Sequence, residues 1–368
     1  MSYRAGIIGF GKSGERFLKS IECVHELDVV GVCDIFREKL EKLGSEKITT
    51  FTDFKEMLDV LEIDILFIAT NDDEHFNIFK HINKSKLKIK KIVCEKPIVT
   101  KKHEIEFLEN NFIGSDIAVH FVERYSPAVE LLMEYIIKNN RKVTRIDFEW
   151  SKFRVLDKRK TIGVTSEISH PLDLSLFIAQ KTYVENINVI NCWIEKIDFQ
   201  GRKKNQPGYI SLSIEVNGDL IVCGTSSYIK SSRRRHMEFL LTDCSGAASD
   251  LAVIDFDNPE WDDDHLSIYD LNRMTRKKSF TWSNPKNKTE RSHISKICRF
   301  IEHVISDING EQKLNIANLE QSVLVQNIII SLEKNATISH HQLFDGFHEK
   351  NTNYKNAIKE EGVRDEDY

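Results

Sequence analysis

The stretch AGIIGFGKSGERF, Ala5 to Phe17, joins a short apolar run to an amphipathic one through three glycines spaced G-x-G-x-x-G. That junction constrains the fold more than any other part of the chain. The apolar run reads as a buried strand, and Phe17, Leu18, Ile21 and Val24 then recur on one face of a helix. Gly9 permits a tight turn, Gly11 lets a ligand approach the backbone, and Gly14 lets helix and strand pack closely. The helix N-terminus behind them offers unbonded N–H groups and the positive end of a dipole, which suit a pyrophosphate. Gly9, Phe10, Gly11, Lys12, Ser13 and Gly14 therefore read as a dinucleotide-binding loop. Asp34 ends the next apolar run, twenty residues beyond Gly14, where a carboxylate accepts the hydroxyls of an adenosine ribose. It would repel a 2′-phosphate, which favours NAD. Arg37 and Lys39 follow closely and soften that preference, which keeps NADP open and Arg37 among the cofactor candidates. Both also read as solvated helix charges.

Four more short apolar runs, DVVGVC, DILFIAT, KIVC and DIAVHF, alternate with amphipathic segments such as FKEMLDVL and HFNIFKHI. Strands alternating with helices imply parallel βαβ units and a doubly wound α/β sheet. After SPAVELLMEYIIKNN the character changes, and strand candidates follow one another: VTRIDFEWSKF, VENINVINCWIEKIDF, YISLSIEVNG, LIVCGTSSYI, HMEFLLTD and KKSFTWS. Ile210, Leu212, Ile214 and Val216 alternate as in an antiparallel sheet with one covered face. The helical stretches HPLDLSLFIAQ, SKICRFIEHVISDI and NLEQSVLVQNIIISLEKNA complete the pattern. The expected fold class is α/β plus α+β. Residues 1–123 form a dinucleotide-binding domain, 124–340 a substrate-binding and oligomerisation domain, and 341–368 a polar tail. An open sheet leaves an apolar face in need of a cover, so a homodimer or homotetramer is expected.

Composition excludes several classes of function. A net charge of −5 and a pI near 6.3 give no basic field for nucleic acid or an anionic membrane. No apolar run approaches the length of a membrane span, and the N-terminal run is too short and glycine-broken for a signal peptide. The 7 cysteines are scattered, odd in number and never spaced C-x-x-C. That pattern argues against a disulfide framework or a zinc site and for a reducing, cytoplasmic setting.

KIVCEKPIVT, Lys91 to Thr100, ends a buried run in Glu95, Lys96 and Pro97. Ligands of open α/β sheets bind beyond the carboxyl ends of the strands, and Lys96 lies just past such an end. Pro97 restricts the residue before it to an extended backbone and admits a cis peptide, which would fix the direction of the ammonium group. The plain alternative is a surface lysine in a loop.

GFGKSG, ATNDDEH, CEKP, ERYSP and SHPLDL occur in an order and approximate spacing that resemble those of the Gfo/Idh/MocA oxidoreductases. The resemblance runs from about the first strand to the last long helix. A glycine loop alone is generic; followed by E-K-P and later by H-x-x-D it is fairly specific. The resemblance implies an N-terminal Rossmann domain, a C-terminal domain with a large open antiparallel sheet, and NAD or NADP. It implies substrates that are sugars, cyclitols or their phosphate and nucleotide derivatives, oxidised at a ring hydroxyl or reduced at the matching ketone. Lys96 then resembles the family's active-site lysine, which orients a hydroxyl and relays its proton if burial lowers its pKa. Glu95 would orient the loop or the cofactor.

His170 and Asp173, spaced i and i+3 in EISHPLDL, share a helical face. Histidine suits general acid–base work, and the family alignment favours that role for His170 over a capping or core histidine. Asp173 would bind substrate or orient His170. Many relatives carry an aspartate four residues before this histidine; here Ser166 stands there, with Glu167 one residue nearer, which leaves the third catalytic group open. Thr70, Asn71 and His75 would line the nicotinamide side. Arg124 matches a family arginine near the active site, with a structural salt bridge as the alternative. Trp150, Lys152 and Arg154 alternate along a strand that should approach the substrate. Arg233 to Arg235 would grip a phosphate or form an exposed run or subunit contact, and the latter reading is preferred. Asp262 to Asp264, before His265, read as a solvated loop with no metal. His340, His341 and His348 receive no role. Competing functions are reduction of an imine or unsaturated ring, or a non-catalytic NAD-binding sensor.

Overall fold

The computed structural model describes residues 2–43, 47–154, 163–199, 203–282, 294–311 and 315–341. The chain divides into two compact units, Met1–Ser126 with Ser283–Asn327, and Pro127–Trp282 with Ile328–Tyr368.

In the first unit the strands are β1 Tyr3–Ile8, β2 Leu27–Cys33, β3 Thr49–Phe51, β4 Ile65–Ile68, β5 Lys91–Glu95 and β6 Ile117–His120. Helices α1 Lys12–Ile21, α2 Arg37–Leu40, α3 Phe54–Val60, α4 Asp72–Ser85 and α5 Lys102–Phe112 connect them. The sheet order is β3-β2-β1-β4-β5-β6, and every pairing is parallel. Ile65, Leu66, Phe67 and Ile68 are all fully buried. Continuous burial is what a parallel strand covered on both faces requires, and explains why these runs show no alternation. The order reverses between β1 and β4, and that reversal opens a crevice at the carboxyl edge of the sheet.

The second unit begins with α6 Pro127–Lys138 and β7 Lys142–Phe153, followed by α7 Val164–Glu167 and α8 Ser169–Ile178. Then come β8 Ile187–Phe199, β9 Lys203–Val216, β10 Leu220–Ser227, β11 Ile229–Thr242, β12 Ala248–Asp255, β13 Asp264–Asp270 and β14 Thr275–Trp282. Helix α9 Ser295–Ile308 returns to the first unit, α10 Leu319–Asn335 spans the division, and β15 Thr337–His341 closes the described chain. The nine-stranded sheet is ordered β14-β13-β12-β11-β7-β10-β9-β8-β15. Only β7–β10 and β8–β15 pair in parallel, so the sheet is mixed and mostly antiparallel. Ile146, Phe148 and Trp150 of β7 are buried, while Asp147 and Glu149 between them are half-buried. Among the described residues no helix is long and apolar enough to cross a membrane.

Three features depart from the sequence reading. Residues 283–327 belong with the first unit, so the chain does not divide linearly at 123/124. Ile297, Phe300, Ile301 and Val304 of α9 join Phe17 and Ile21 of α1 in one core cluster, and Lys91 donates to Asp307 on α9 as well as to Asp116. Periodicity shows that a helix has a buried face but not which element covers it. Asp262, Asp263 and Asp264 form no solvated loop: all three are buried. Asp264 opens β13 and accepts the Asp257 N–H, while Asp257 accepts the Asp262 N–H. Arg233 and Arg235 both donate to Asp257 Oδ2 at 2.6 Å, and only Arg234 of that triplet is largely exposed. Alternation along β11 separates the three arginines. The tail from residue 342 onward, His348 included, lies outside the described residues.

On the more exposed face of β11, His236 makes a cross-strand pair with Asp255 (Nδ1 to Oδ1, 2.7 Å) and a second contact with Glu238 at 3.0 Å. The bond to Asp255 raises the imidazole pKa against the opposing effect of burial, and the same bond lowers that of Asp255. A raised folded-state pKa contributes stability that is fully present below about 6.5, the ordinary histidine value, and lost as pH rises through the folded value. The Asp255 contribution has the opposite sense and is lost on acidification below its lowered pKa. The stability difference between the wild type and His236→Phe should therefore shrink between pH 6 and pH 9, as read from urea midpoints. A constant difference would show that the pair is not charged in the folded state.

Candidate active site

The glycine loop has the geometry its spacing predicts. Gly9 has φ +93°, and a Cβ there would lie 2.6 Å from the Ala69 carbonyl. A Cβ on Gly14 would lie 2.0 Å from the Gly9 oxygen, whereas one on Gly11 would meet nothing within 4 Å. Gly11 caps α1 without any side-chain bond, so the first helical N–H groups, those of Lys12 and Ser13 among them, carry no side-chain cap from it. Asp34, just past β2, accepts the Phe10 N–H at 2.8 Å and so ties the loop to the second strand. Open ground over Gly11, an uncapped helix start and an acid at the β2 edge together fit a dinucleotide. Arg37 is exposed at the start of α2. Lys39 is not simply solvated, because its ammonium contacts Asp34 at 3.0 Å.

Lys96 follows directly on β5, and its peptide bond to Pro97 is cis. Two braces hold this turn. His75 of α4 is fully buried, with Nδ1 3.0 Å from the Pro97 oxygen and Nε2 3.3 Å from the Thr70 oxygen. Its ring thus links the end of β4 to the turn after β5. The second brace joins Glu95 and His120, 2.9 Å apart across β5 and β6. Burial pushes the Glu95 pKa up, but His120, then Lys96 and His75, hold it below the ordinary value. The His120 ring packs against Phe17 and Phe300 at 5.0 and 4.7 Å, and its Nε2 has no hydrogen-bond partner among the described residues. Asp72, the first residue of α4, has its pKa raised by burial against the pull of His75 and Lys96. Asn71 precedes it as an exposed cap, and the buried Thr70 hydroxyl has no partner among the described residues. The sequence reading missed Asp72 and His120. Both lie at carboxyl ends of parallel strands, the edge where ligands of such sheets bind, and that signal marks them.

The second unit gathers another polar cluster. Every residue of α8 from Ser169 to Leu176 is buried, so His170 and Asp173 are the titratable residues of a buried helix. Pro171 is accommodated because it lies in the first turn, where its missing N–H removes no helical bond. The His170 ring stacks on Trp150 with centroids 5.8 Å apart and planes 26° from parallel. Lys152 near the end of β7 and Arg154 just past it reach Glu167 Oε1 at 2.8 and 3.7 Å. Both also lie over the Tyr228 ring. Burial, then the nearby Arg154, pushes the Lys152 pKa well below its ordinary value, and Glu167 only partly restores it. Ser166 is buried and its carbonyl accepts the Ser169 hydroxyl at 2.6 Å. Trp150, Lys152, Arg154, Glu167 and His170 are thus brought together. Arg124 belongs to the first unit, where it is buried and donates to Gln321 at 3.0 Å and to the Asn315 carbonyl.

Residues 3–110 match the family model described as the oxidoreductase family with an NAD-binding Rossmann fold. A search of curated proteins finds no match. Among solved structures, UDP-N-acetylglucosamine 3-dehydrogenase GnnA from Acidithiobacillus ferrooxidans is similar at 16% identity and TM-score 0.69, over 91% of this chain and 98% of that one. KijD10, a 3-ketoreductase from Actinomadura kijaniata solved with NADP and TDP-benzene, is similar at 10% identity and TM-score 0.72, over 93% and 100%. The transcriptional regulator Gal80p from Kluyveromyces lactis is similar at 14% identity and TM-score 0.71, over 91% and 89%. At these identities the likeness is one of fold. Residues 3–110 thus match the NAD-binding Rossmann domain of the Gfo/Idh/MocA oxidoreductases, and the rest of the chain shares the fold of the solved structures above.

Proposed function

We propose that the protein is an NAD(P)-dependent oxidoreductase acting on a ring hydroxyl, or the matching ketone, of a sugar, cyclitol, sugar phosphate or nucleotide sugar. The observation that carries this reading is Lys96, which leaves a buried strand at the carboxyl edge of the sheet, in a turn braced by His75 and by Glu95 with His120. When bound, the nicotinamide supplies the hydride acceptor or donor. The chain supplies orientation and proton handling. The Lys96 ammonium bonds the reacting oxygen and relays its proton. His170, stacked on Trp150, is the acid–base candidate of the second unit, with Asp173 one helical turn on to orient it. Ser166 cannot serve as an acid, and Glu167 is engaged by Lys152. Trp150, Lys152, Arg154 and Glu167 therefore contact the substrate's other hydroxyls.

A screen of sugars, sugar phosphates and nucleotide sugars, read at the nicotinamide absorbance with both cofactors, tests this reading. Turnover of one class supports it. Cofactor binding without turnover of any class would leave the second reading, a dinucleotide-dependent sensor, which the likeness in fold to Gal80p favours. Ile190 and Trp193 of β8 remain exposed on the nine-stranded sheet, which supports a homodimer or homotetramer in solution. A monomer in sedimentation at micromolar concentration would contradict that. None of the seven cysteines forms a disulfide, which supports a cytoplasmic setting.

A further inference from the structure

The carboxylate expected to hold the adenosine ribose is already fully engaged. Asp34 Oδ2 accepts the Phe10 N–H at 2.8 Å and Lys39 Nζ at 3.0 Å. Oδ1 accepts the Phe36 N–H at 2.9 Å and Lys39 Nζ at 3.2 Å. A carboxylate has roughly four lone-pair sites, and these donors fill them, so a ribose diol would have to displace one. The backbone donors are fixed by the loop and by α2; the displaceable one is Lys39. Its position also reverses the electrostatics of this edge. The Asp34 side chain is 6% exposed and that of Lys39 35%, so the group presented outward is an ammonium. The Phe36 ring lies 4.8 Å from the Lys39 nitrogen and helps to hold it there. An ammonium has three donors; with two directed at Asp34, one is left for an incoming anion. Exposed Arg37 begins the same helix.

We propose that Lys39 sets the cofactor choice by taking the 2′-phosphate of NADP(H), so that this chain prefers NADP(H) although an acidic residue follows β2. The proposal rests on the reading of the glycine loop as a dinucleotide site. It reverses the preference expected from Asp34 alone. Asp34 acts here as the anchor that aims Lys39, and the Lys39 charge offsets the repulsion that a bare carboxylate would exert on a phosphate.

Calorimetric titration of the full chain with ADP-ribose and with 2′-phospho-ADP-ribose isolates this contact from the nicotinamide and from turnover. The wild type should bind the 2′-phosphorylated fragment more tightly. Lys39→Ala should weaken that fragment by about 10–100-fold, the range for bonds to charged groups, and leave ADP-ribose unchanged or tighter, since Asp34 regains free acceptors. Lys39→Arg should retain the preference. Equal affinity of the two fragments for the wild type, or equal weakening of both by Lys39→Ala, would overturn the proposal while leaving the dinucleotide reading intact. Binding of neither fragment would overturn both.

Discussion

Lys96→Met is expected to lower turnover by about 10²–10⁴-fold, the usual contribution of a general acid–base group, while dinucleotide affinity stays nearly unchanged. Methionine keeps most of the side-chain volume and removes only the charge, which separates chemistry from packing. The turn should survive, because the His75 contacts with the carbonyls of Thr70 and Pro97 and the His120–Glu95 pair remain in the variant. His170→Ala should give a loss in the same range and remove one ionisation from the pH–rate profile. If Lys96 and His170 serve one proton transfer, the double variant loses less than the product of the two single losses, because groups acting as a unit are not additive. Stopped-flow and steady-state assays on the substrate found by the screen measure both effects. Full activity in either single variant would mean that the proton is handled elsewhere.

The first unit was legible in the sequence because its determinants are local. A strand buried on both faces must be continuously apolar, and a strand-to-helix turn that approaches a ligand must be glycine, so AGIIGFGKSG and ILFIA declare themselves. The second unit was only partly legible. Strands β12 and β13 carry buried acids: Asp250 takes its partners, Arg141 and Lys277, from distant elements, and Asp264 accepts the Asp257 N–H of the connection that precedes it. Seen alone, such residues look like a solvated loop. The same limit hid the destination of α9 and the burial of Arg233 and Arg235. In the site, Gly9 to Gly14, Asp34 and Lys96 could be placed by their position relative to strand ends. The carbonyl contacts of His75 could not be read, because no sequence spacing brings Thr70 and Pro97 together. Lys39 lies only five residues from Asp34, yet its contact depends on the short helix α2 turning it back over the carboxylate.

The three glycines separate binding from folding more sharply than any other positions. Gly11→Ala should leave stability within about 1 kcal/mol of the wild type. Its backbone, φ −89° and ψ −164°, is open to alanine, and a Cβ there meets nothing within 4 Å. The entropy gained by restricting the unfolded chain roughly offsets the poorer helix cap. The added methyl nevertheless enters the ground over which a diphosphate would pass, and should weaken either dinucleotide by about 10–100-fold, the equivalent of an overpacked contact. Gly14→Ala should do the reverse in order of cause. Its Cβ would lie 2.0 Å from the Gly9 oxygen, and neither backbone can yield without parting α1 from β1, so a loss of about 2–4 kcal/mol is expected before any ligand is added. Gly9→Ala combines a left-handed backbone with a Cβ 2.6 Å from the Ala69 carbonyl and should resemble Gly14→Ala. Thermal unfolding paired with titration of NADH and NADPH distinguishes the two kinds of loss. Wild-type affinity in a stably folded Gly11→Ala variant would show that no diphosphate crosses this loop, and the dinucleotide site would have to be sought elsewhere.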